Sequence, residues 1–383
     1  MRVKLKYPEF KLESYLAKRE FSAPFNLCAS DIETYSMNEI VQMADEQSLV
    51  PWNDLKLSYT EPMGHPLLRE EISKIYGENI DREQVLCFAG AQEGIYCMAH
   101  TLLDPKDHAI IVTPCYQSLE TLPSAICPTS KIQLQYKKGW GLDVEQIENA
   151  IKPNTKLLVV NFPHNPTGAL ITCSTQLKLV ELARKHGLWI FSDEVYRFLE
   201  VNPADRLSSF ASIYEKGLSL SVMSKAYGLG GLRIGWIACQ DKQLLGKMNE
   251  IKHYLSICNS GPSEILSLIA LKASEKIHNQ NHHLLKENLK QLDSFFVQNA
   301  EWFEWVRPKG GCIAYPLFKG DVPIDKLADD LLEQFGVLIL PANIYGDCSN
   351  HFRISFGRKS MPQALERLNQ FIHKNKNQWG KKK

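Results

Sequence analysis

The chain opens without an uninterrupted apolar run. Its first residues, MRVKLKYPEFKLESYLAKREF, alternate charged with apolar side chains, so they read neither as a signal peptide nor as a membrane anchor. The expected compartment is the cytoplasm, with no membrane partner. Net charge is nearly missing too: a formal +1 over 383 residues offers no field to recruit nucleic acid. Ten cysteines are scattered from Cys28 to Cys348 with no C-x-x-C pair and no Cys/His spacing that would close a zinc site, so no metal is expected. There is no internal repeat and no low-complexity linker. The G-x-x-x-x-G-K-[ST] of a phosphate loop is absent, and the glycines between 228 and 235 lead into a strand and not a helix, which argues against a dinucleotide fold built on them.

What is present is alternation. Short β-branched runs at 84–88, 108–113, 131–136, 156–161, 188–192, 218–223 and 232–239 are separated by stretches of helical periodicity. One of these, 176–186, ends at Gly187 as a natural stop. Seven strands alternating with helices predict an α/β unit, a mainly parallel seven-stranded sheet sandwiched by helices. Before it, 7–21 suggests a helix or arm, Ser36 and Glu39 have capping-box spacing, and a Pro/Gly loop at 58–65 presents Tyr59 ahead of a helix. After 257 the character changes to long amphipathic helices, at 265–274 and 282–298, and short strands at 312–316, 337–340 and 351–356. The expectation is a large domain over 45–256 and a smaller α+β domain from 1–44 and 257–383. Residues 374–383, with five lysines, read as a frayed, solvated tail.

Ligands of such sheets sit at the strand carboxyl ends. The polar oddities of this chain cluster there: Gly90-Ala91-Gln92, Tyr116, Asn165, Asp193 with Tyr196, and Lys225 each follow a predicted strand. The stretch 221–236, SVMSKAYGLGGLRIGW, places Lys225 ahead of a glycine-rich turn and Arg233 eight residues later. A buried lysine loses its proton readily and becomes a nucleophilic amine suited to Schiff-base chemistry. Arg233 and the turn's backbone N–H groups suit a phosphate.

Taken in order, Y-T-E-P-M-G-H-P-L-L-R, A-G-A-Q-E-G-I, P-C-Y, N-F-P-H-N-P-T-G, S-D-E-V-Y, S-K-A-Y-G-L-G-G-L-R-I-G-W and H-F-R-I-S-F-G make the chain resemble, over nearly its whole length, the class I/II aminotransferases, fold type I enzymes that use pyridoxal 5′-phosphate. The resemblance implies that Lys225 forms the aldimine with the cofactor and then serves as the base. It implies that Asp193 keeps the pyridine nitrogen protonated, that Asn165 and Tyr196 bond the ring's O3′, and that Tyr116 stacks on the ring. Arg233, the amides of Ala91 and Gln92, and Tyr59 would hold the phosphate. Tyr59 would reach the neighbouring subunit's site, which implies a homodimer, and Arg353 would grip the substrate's α-carboxylate. The glycines of 228–235 then read as room for phosphate and ring.

One departure concerns the phosphate. Where many family members carry a serine or threonine, three residues before the lysine, this chain has Val222; Ser224 and Ser221 are the candidate substitutes. The substrates implied are an amino acid and a 2-oxo acid, with no second arginine for a side-chain carboxylate. Asp31, in Ala29-Ser30-Asp31 where a glycine is more usual, is a candidate reader of a cationic side chain, and Tyr35 and Asn343 are candidate pocket residues. Transamination is the expected reaction. The same residues serve the β-elimination, γ-replacement or cyclisation of related enzymes, and the 25–36 segment is similar to enzymes that cyclise an arginine-derived amino acid. A sensory domain of a transcription regulator would need a fused DNA-binding module, which the short N-terminus does not offer.

Overall fold

The computed structural model describes residues 7–347 and 349–380. Strands β1 (Val85–Phe88), β2 (His108–Thr113), β3 (Thr129–Gln133), β4 (Thr155–Asn161), β5 (Trp189–Asp193), β6 (Gly217–Val222) and β7 (Gly235–Cys239) form one seven-stranded sheet in the order β1-β7-β6-β5-β4-β2-β3. All pairings are parallel except those of β7, which runs antiparallel to both neighbours. β1 and β6 are buried along their whole length, as a sheet covered on both faces requires. Every predicted strand of this sheet forms, most bounds within a residue or two of expectation and two displaced by three. The 131–136 run pairs only to Gln133, because Tyr136–Lys138 turns into Gly139. The 232–239 run starts at Gly235, because Gly230–Leu232 closes a tight turn and Arg233 takes a left-handed φ of 53°.

Local signals elsewhere act as read. Ser36 caps the helix Met37–Val41 with the reciprocal Glu39 bond formed, and the helix Cys173–His186 ends at Gly187 in the left-handed conformation. Beyond the sheet, Phe25–Asn26 pairs with Val337–Leu338, so the two ends of the chain meet. Phe352–Ser355 lies between Ile313–Ala314 and Leu340–Pro341, antiparallel to both. The predicted long helices are Gly261–Lys272 and Ser274–Gln298, the second starting earlier than its apolar periodicity suggested.

The tail differs from expectation. Met361–Asn375 is helical, and Trp379 beyond it sits 5.2 Å from Trp302 and 5.0 Å from Phe318, ring centre to ring centre. Gly380 donates its N–H to Asp321 at 2.9 Å. One indole outweighs the lysines around it, and the last three lysines lie outside the described residues. No helix among the described residues is long and apolar enough to cross a membrane.

Candidate active site

A cavity of about 560 Å³ opens at the carboxyl ends of β4, β5 and β6, with Lys225, Asp193, Asn165, Arg233, Arg353 and Tyr116 in its walls. The parallel strands explain the convergence: each delivers its following loop to the same edge. Lys225 follows β6 by three residues. Its Nζ donates to Ser30 Oγ at 2.8 Å and lies 5.9 Å from the centre of the Tyr196 ring. Burial lowers the pKa of this amine, against the opposing pull of Asp31.

Asp193 ends β5. Burial raises its pKa to about 7, opposed by the Val195 N–H that its carboxylate accepts at 3.2 Å and by the charge of Lys225. Asn161, at the end of β4, ties the neighbouring loops together. Its amide donates to the Asp193 carbonyl at 2.8 Å while its Oδ1 accepts from the Asn165 N–H at 2.8 Å.

Arg353 comes from the strand Phe352–Ser355 and is 1% exposed. Nη2 donates to the Cys28 carbonyl at 2.7 Å, and Nη1 donates to the Tyr345 hydroxyl at 2.8 Å and to Asn165 Oδ1 at 3.4 Å. The Tyr345 hydroxyl in turn donates to Asn165 Oδ1 at 3.1 Å. Arg353 Nε is buried without a partner. A buried guanidinium with an open donor is a place for an acceptor to arrive.

At the other end of the cavity Gly90, with φ 91°, precedes the helix Ala91–Leu102, which has no side-chain cap. A Cβ at Gly90 would overlap the Arg233 guanidinium. The glycine therefore lets an arginine lie across a helix N-terminus, which concentrates positive potential where backbone N–H groups also point.

Residues 24–368 match the family model described as aminotransferase class I and II. The chain belongs to that family. It is 26% identical over 354 residues to capreomycidine synthase of Streptomyces vinaceus, covering 91% of this chain and 89% of that one. It is 26% identical over 329 residues to an arginine–pyruvate transaminase of Pseudomonas aeruginosa, with 81% of each chain covered. The crystal structure of a PLP-dependent aminotransferase from Streptococcus suis superposes with a TM-score of 0.91 at 28% identity, over 99% of this chain and 100% of that one.

Aminotransferases of this family use pyridoxal 5′-phosphate, and the residues present in this one fit it. The uncapped helix start with Arg233 laid over Gly90 matches a phosphate, and the buried Asp193 matches a cationic ring nitrogen. The lysine amine shares one cavity with them and with Arg353.

The aminotransferase departs from several sequence-based expectations. Asp31 borders the cavity, but its carboxylate is already paired with Arg358, whose Nη2 lies 2.8 Å from both Oδ1 and Oδ2. It is no free reader of a substrate cation. Tyr35 donates to Gln280 at 2.9 Å, and Asn343 borders a different surface groove, so neither lines the cavity. Ser224 and Val222 both face it, whereas Ser221 is buried on the opposite face of β6, as strand alternation dictates. The Tyr196 hydroxyl donates to the Ser30 carbonyl at 2.7 Å. Tyr59 is 88% exposed and outside this chain's cavity wall. Gly228 makes room for the carbonyl of Glu33 rather than for a phosphate, while Gly230 does line the cavity. Ser30, Asn161 and Tyr345 were not singled out by sequence; the stretch Ala29-Ser30-Asp31, where a glycine is more usual, was the one visible signal.

Proposed function

We propose that the protein moves the amino group of an L-amino acid to a 2-oxo acid. The observation that carries this reading is Arg353: a buried guanidinium with an unpartnered Nε, in the same cavity as a lysine whose ammonium is destabilised by burial. Such an arginine selects a carboxylate as a planar fork, and the adjacent amine is suited to remove a proton beside it.

Pyridoxal phosphate, when bound, supplies an aldehyde that condenses with amines and a ring that accepts the electron pair left by α-deprotonation. In this reading Arg233, the amides of Ala91 and Gln92, and the Ser224 hydroxyl hold the phosphate. Asp193 holds the proton on the ring nitrogen, Asn165 and Tyr196 serve the ring oxygen, and Tyr116 covers the ring. For Tyr196 this requires its hydroxyl to exchange the Ser30 carbonyl for the ring oxygen. Lys225 Nζ carries the proton to and from the substrate's α-carbon, and Arg353 sets the orientation in which that carbon faces it. The protein acts as a homodimer. Exposure of Tyr59 supports this, as do the exposed apolar side chains of Leu57 and Tyr254 in the neighbouring loops, which the Thr60 to Asn259 hydrogen bond holds together.

A second reading, elimination or cyclisation by the same residues, is favoured by the likeness to capreomycidine synthase. One experiment separates them. The yellow, cofactor-loaded protein is offered single amino acids, then 2-oxoglutarate or pyruvate. Transamination converts the bound cofactor's absorbance to that of the amine form and a keto acid restores it; without that cycle, release of ammonia with a 2-oxo acid supports elimination, and a ring-closed amino acid product supports cyclisation. Lys225→Ala abolishes either, and full turnover by that variant would overturn both.

A further inference from the structure

The cavity's charges can be assigned one by one, and two remain. Its walls contain three cations, Lys225, Arg233 and Arg353, and four carboxylates, Glu13, Glu20, Asp31 and Asp193. In the function proposed above, on which this step rests, Arg233 meets the phosphate, Arg353 the α-carboxylate, Asp193 the ring nitrogen, and Lys225 works as an amine. Asp31 is neutralised by Arg358. Glu13 and Glu20 are left without a cation. Glu13 accepts from the Tyr116 hydroxyl at 3.1 Å and Glu20 from the Asn26 amide at 3.3 Å, both uncharged donors.

The N-terminal helix Lys11–Ala17 and the turn after it are sorted by charge. Leu12, Glu13, Leu16 and Glu20 face the cavity, at helical spacing, while Lys11, Lys18 and Arg19 face a separate outer groove. Arg19 is engaged there with Asp329 at 3.5 Å. The basic residues that could have screened the two glutamates therefore point away from them. Two apolar side chains alternate with the two carboxylates, which suits a ligand arm that is aliphatic along its length and positive at its end. Arg353, with its open Nε, marks where the other end of that ligand is held.

We propose that the amino donor carries a cationic side chain, an ammonium or guanidinium, and that Glu13 and Glu20 read it. A dicarboxylic donor finds no unassigned cation in this cavity and meets two carboxylates instead.

The test compares L-arginine, its uncharged isostere L-citrulline, and L-glutamate as donors to the cofactor-loaded enzyme. It also measures by calorimetry the binding of δ-guanidinovalerate, which lacks the amine and cannot react, against hexanoate. Arginine is expected to exceed citrulline in kcat/KM, and δ-guanidinovalerate to bind more tightly than hexanoate, each by about tenfold or more; removal of each glutamate's charge should cost about fivefold of that preference, the scale of a partly exposed ion pair. The double variant Glu13→Gln, Glu20→Gln should lose both preferences, its kcat/KM for arginine falling to the level of its kcat/KM for citrulline. Equal handling of arginine and citrulline by the unaltered enzyme, or a preference that survives the double variant, would sink the inference while leaving the aminotransferase reading intact. Turnover of no amino acid at all would remove that reading and this one with it.

Discussion

The Lys225 amine and the Ser30 hydroxyl are joined by a hydrogen bond of 2.8 Å, and the carbonyl of the same serine accepts the Tyr196 hydroxyl at 2.7 Å. A single residue of the N-terminal loop thus fixes where the free amine rests. Ser30→Ala removes the first bond and keeps the second, which is made to backbone. The expected result is a rate of amino transfer about fivefold lower in single-turnover absorbance, near the worth of one hydrogen bond, with cofactor affinity unchanged. An unaltered rate would show that the hydroxyl only fills space.

Gly90→Ala tests the phosphate end. The new Cβ would enter the volume of the Arg233 guanidinium, and the backbone at Gly90 has a φ of 91° that an alanine tolerates poorly. Arg233 must then swing off the helix start, and cofactor affinity should fall about tenfold or more by titration. The thermal midpoint should drop as well, because β1 and the helix Ala91–Leu102 are joined at this residue. Arg233→Ala separates the two effects: it should lower affinity with little change in the thermal midpoint of the cofactor-free protein.

The sheet was legible because its strands are short and rich in β-branched residues, and all but the edge strand β3 are largely buried, a signal that survives in isolation. The strand-end residues were legible for the same reason: alternation places each at one edge, so Asn165, Asp193 and Lys225 meet without any knowledge of side-chain contacts. Contacts across long separations were not. Asp31 read as a candidate for a substrate cation because nothing in its neighbourhood announces Arg358, which arrives from more than 300 residues away. The tail misled for a related reason, since lysine content dominates a local reading and the partners of Trp379 are remote in sequence. Gly228 shows the same limit at close range. Its left-handed φ follows from its being a turn glycine, but that the space serves the Glu33 carbonyl required the fold.

Asp193 makes a pH-dependent contribution whose sign is fixed by its surroundings. Burial raises its pKa to about 7, reinforced by Glu194 and opposed by Val195 N–H and Lys225, whereas in the unfolded chain it sits near the ordinary carboxylate value. A raised acid binds its proton more tightly in the folded state. Its stabilising contribution is full at low pH and is lost as pH climbs toward the folded value, by at most about 4 kcal/mol. The cofactor-free protein should therefore lose thermal stability between about pH 4 and pH 7, and Asp193→Asn should flatten that slope. Cofactor loading should flatten it too, since a cationic ring nitrogen gives the carboxylate a partner. A slope shared equally by Asp193→Asn would place its origin in other groups.

Trp379 gives the last prediction. Its indole packs edge-on against Trp302 and Phe318 and lies 6.0 Å from Phe371, and Gly380 next to it bonds Asp321. The ring is only half-buried, so its removal forfeits part of an aromatic side chain's burial and leaves a hollow between the helix of Phe371, the turn of Trp302 and the strand of Phe318. Trp379→Ala should cost about 2 kcal/mol in denaturant unfolding. Asn377→Ala, at an exposed position in the same turn, should stay within about 0.5 kcal/mol. Because the cluster lies away from the cavity, the Trp379 variant should keep its catalytic constants at temperatures where it remains folded. A loss of turnover there would mean that the C-terminal turn influences the strand that carries Arg353, through the ring series Phe318, Phe303 and Phe352.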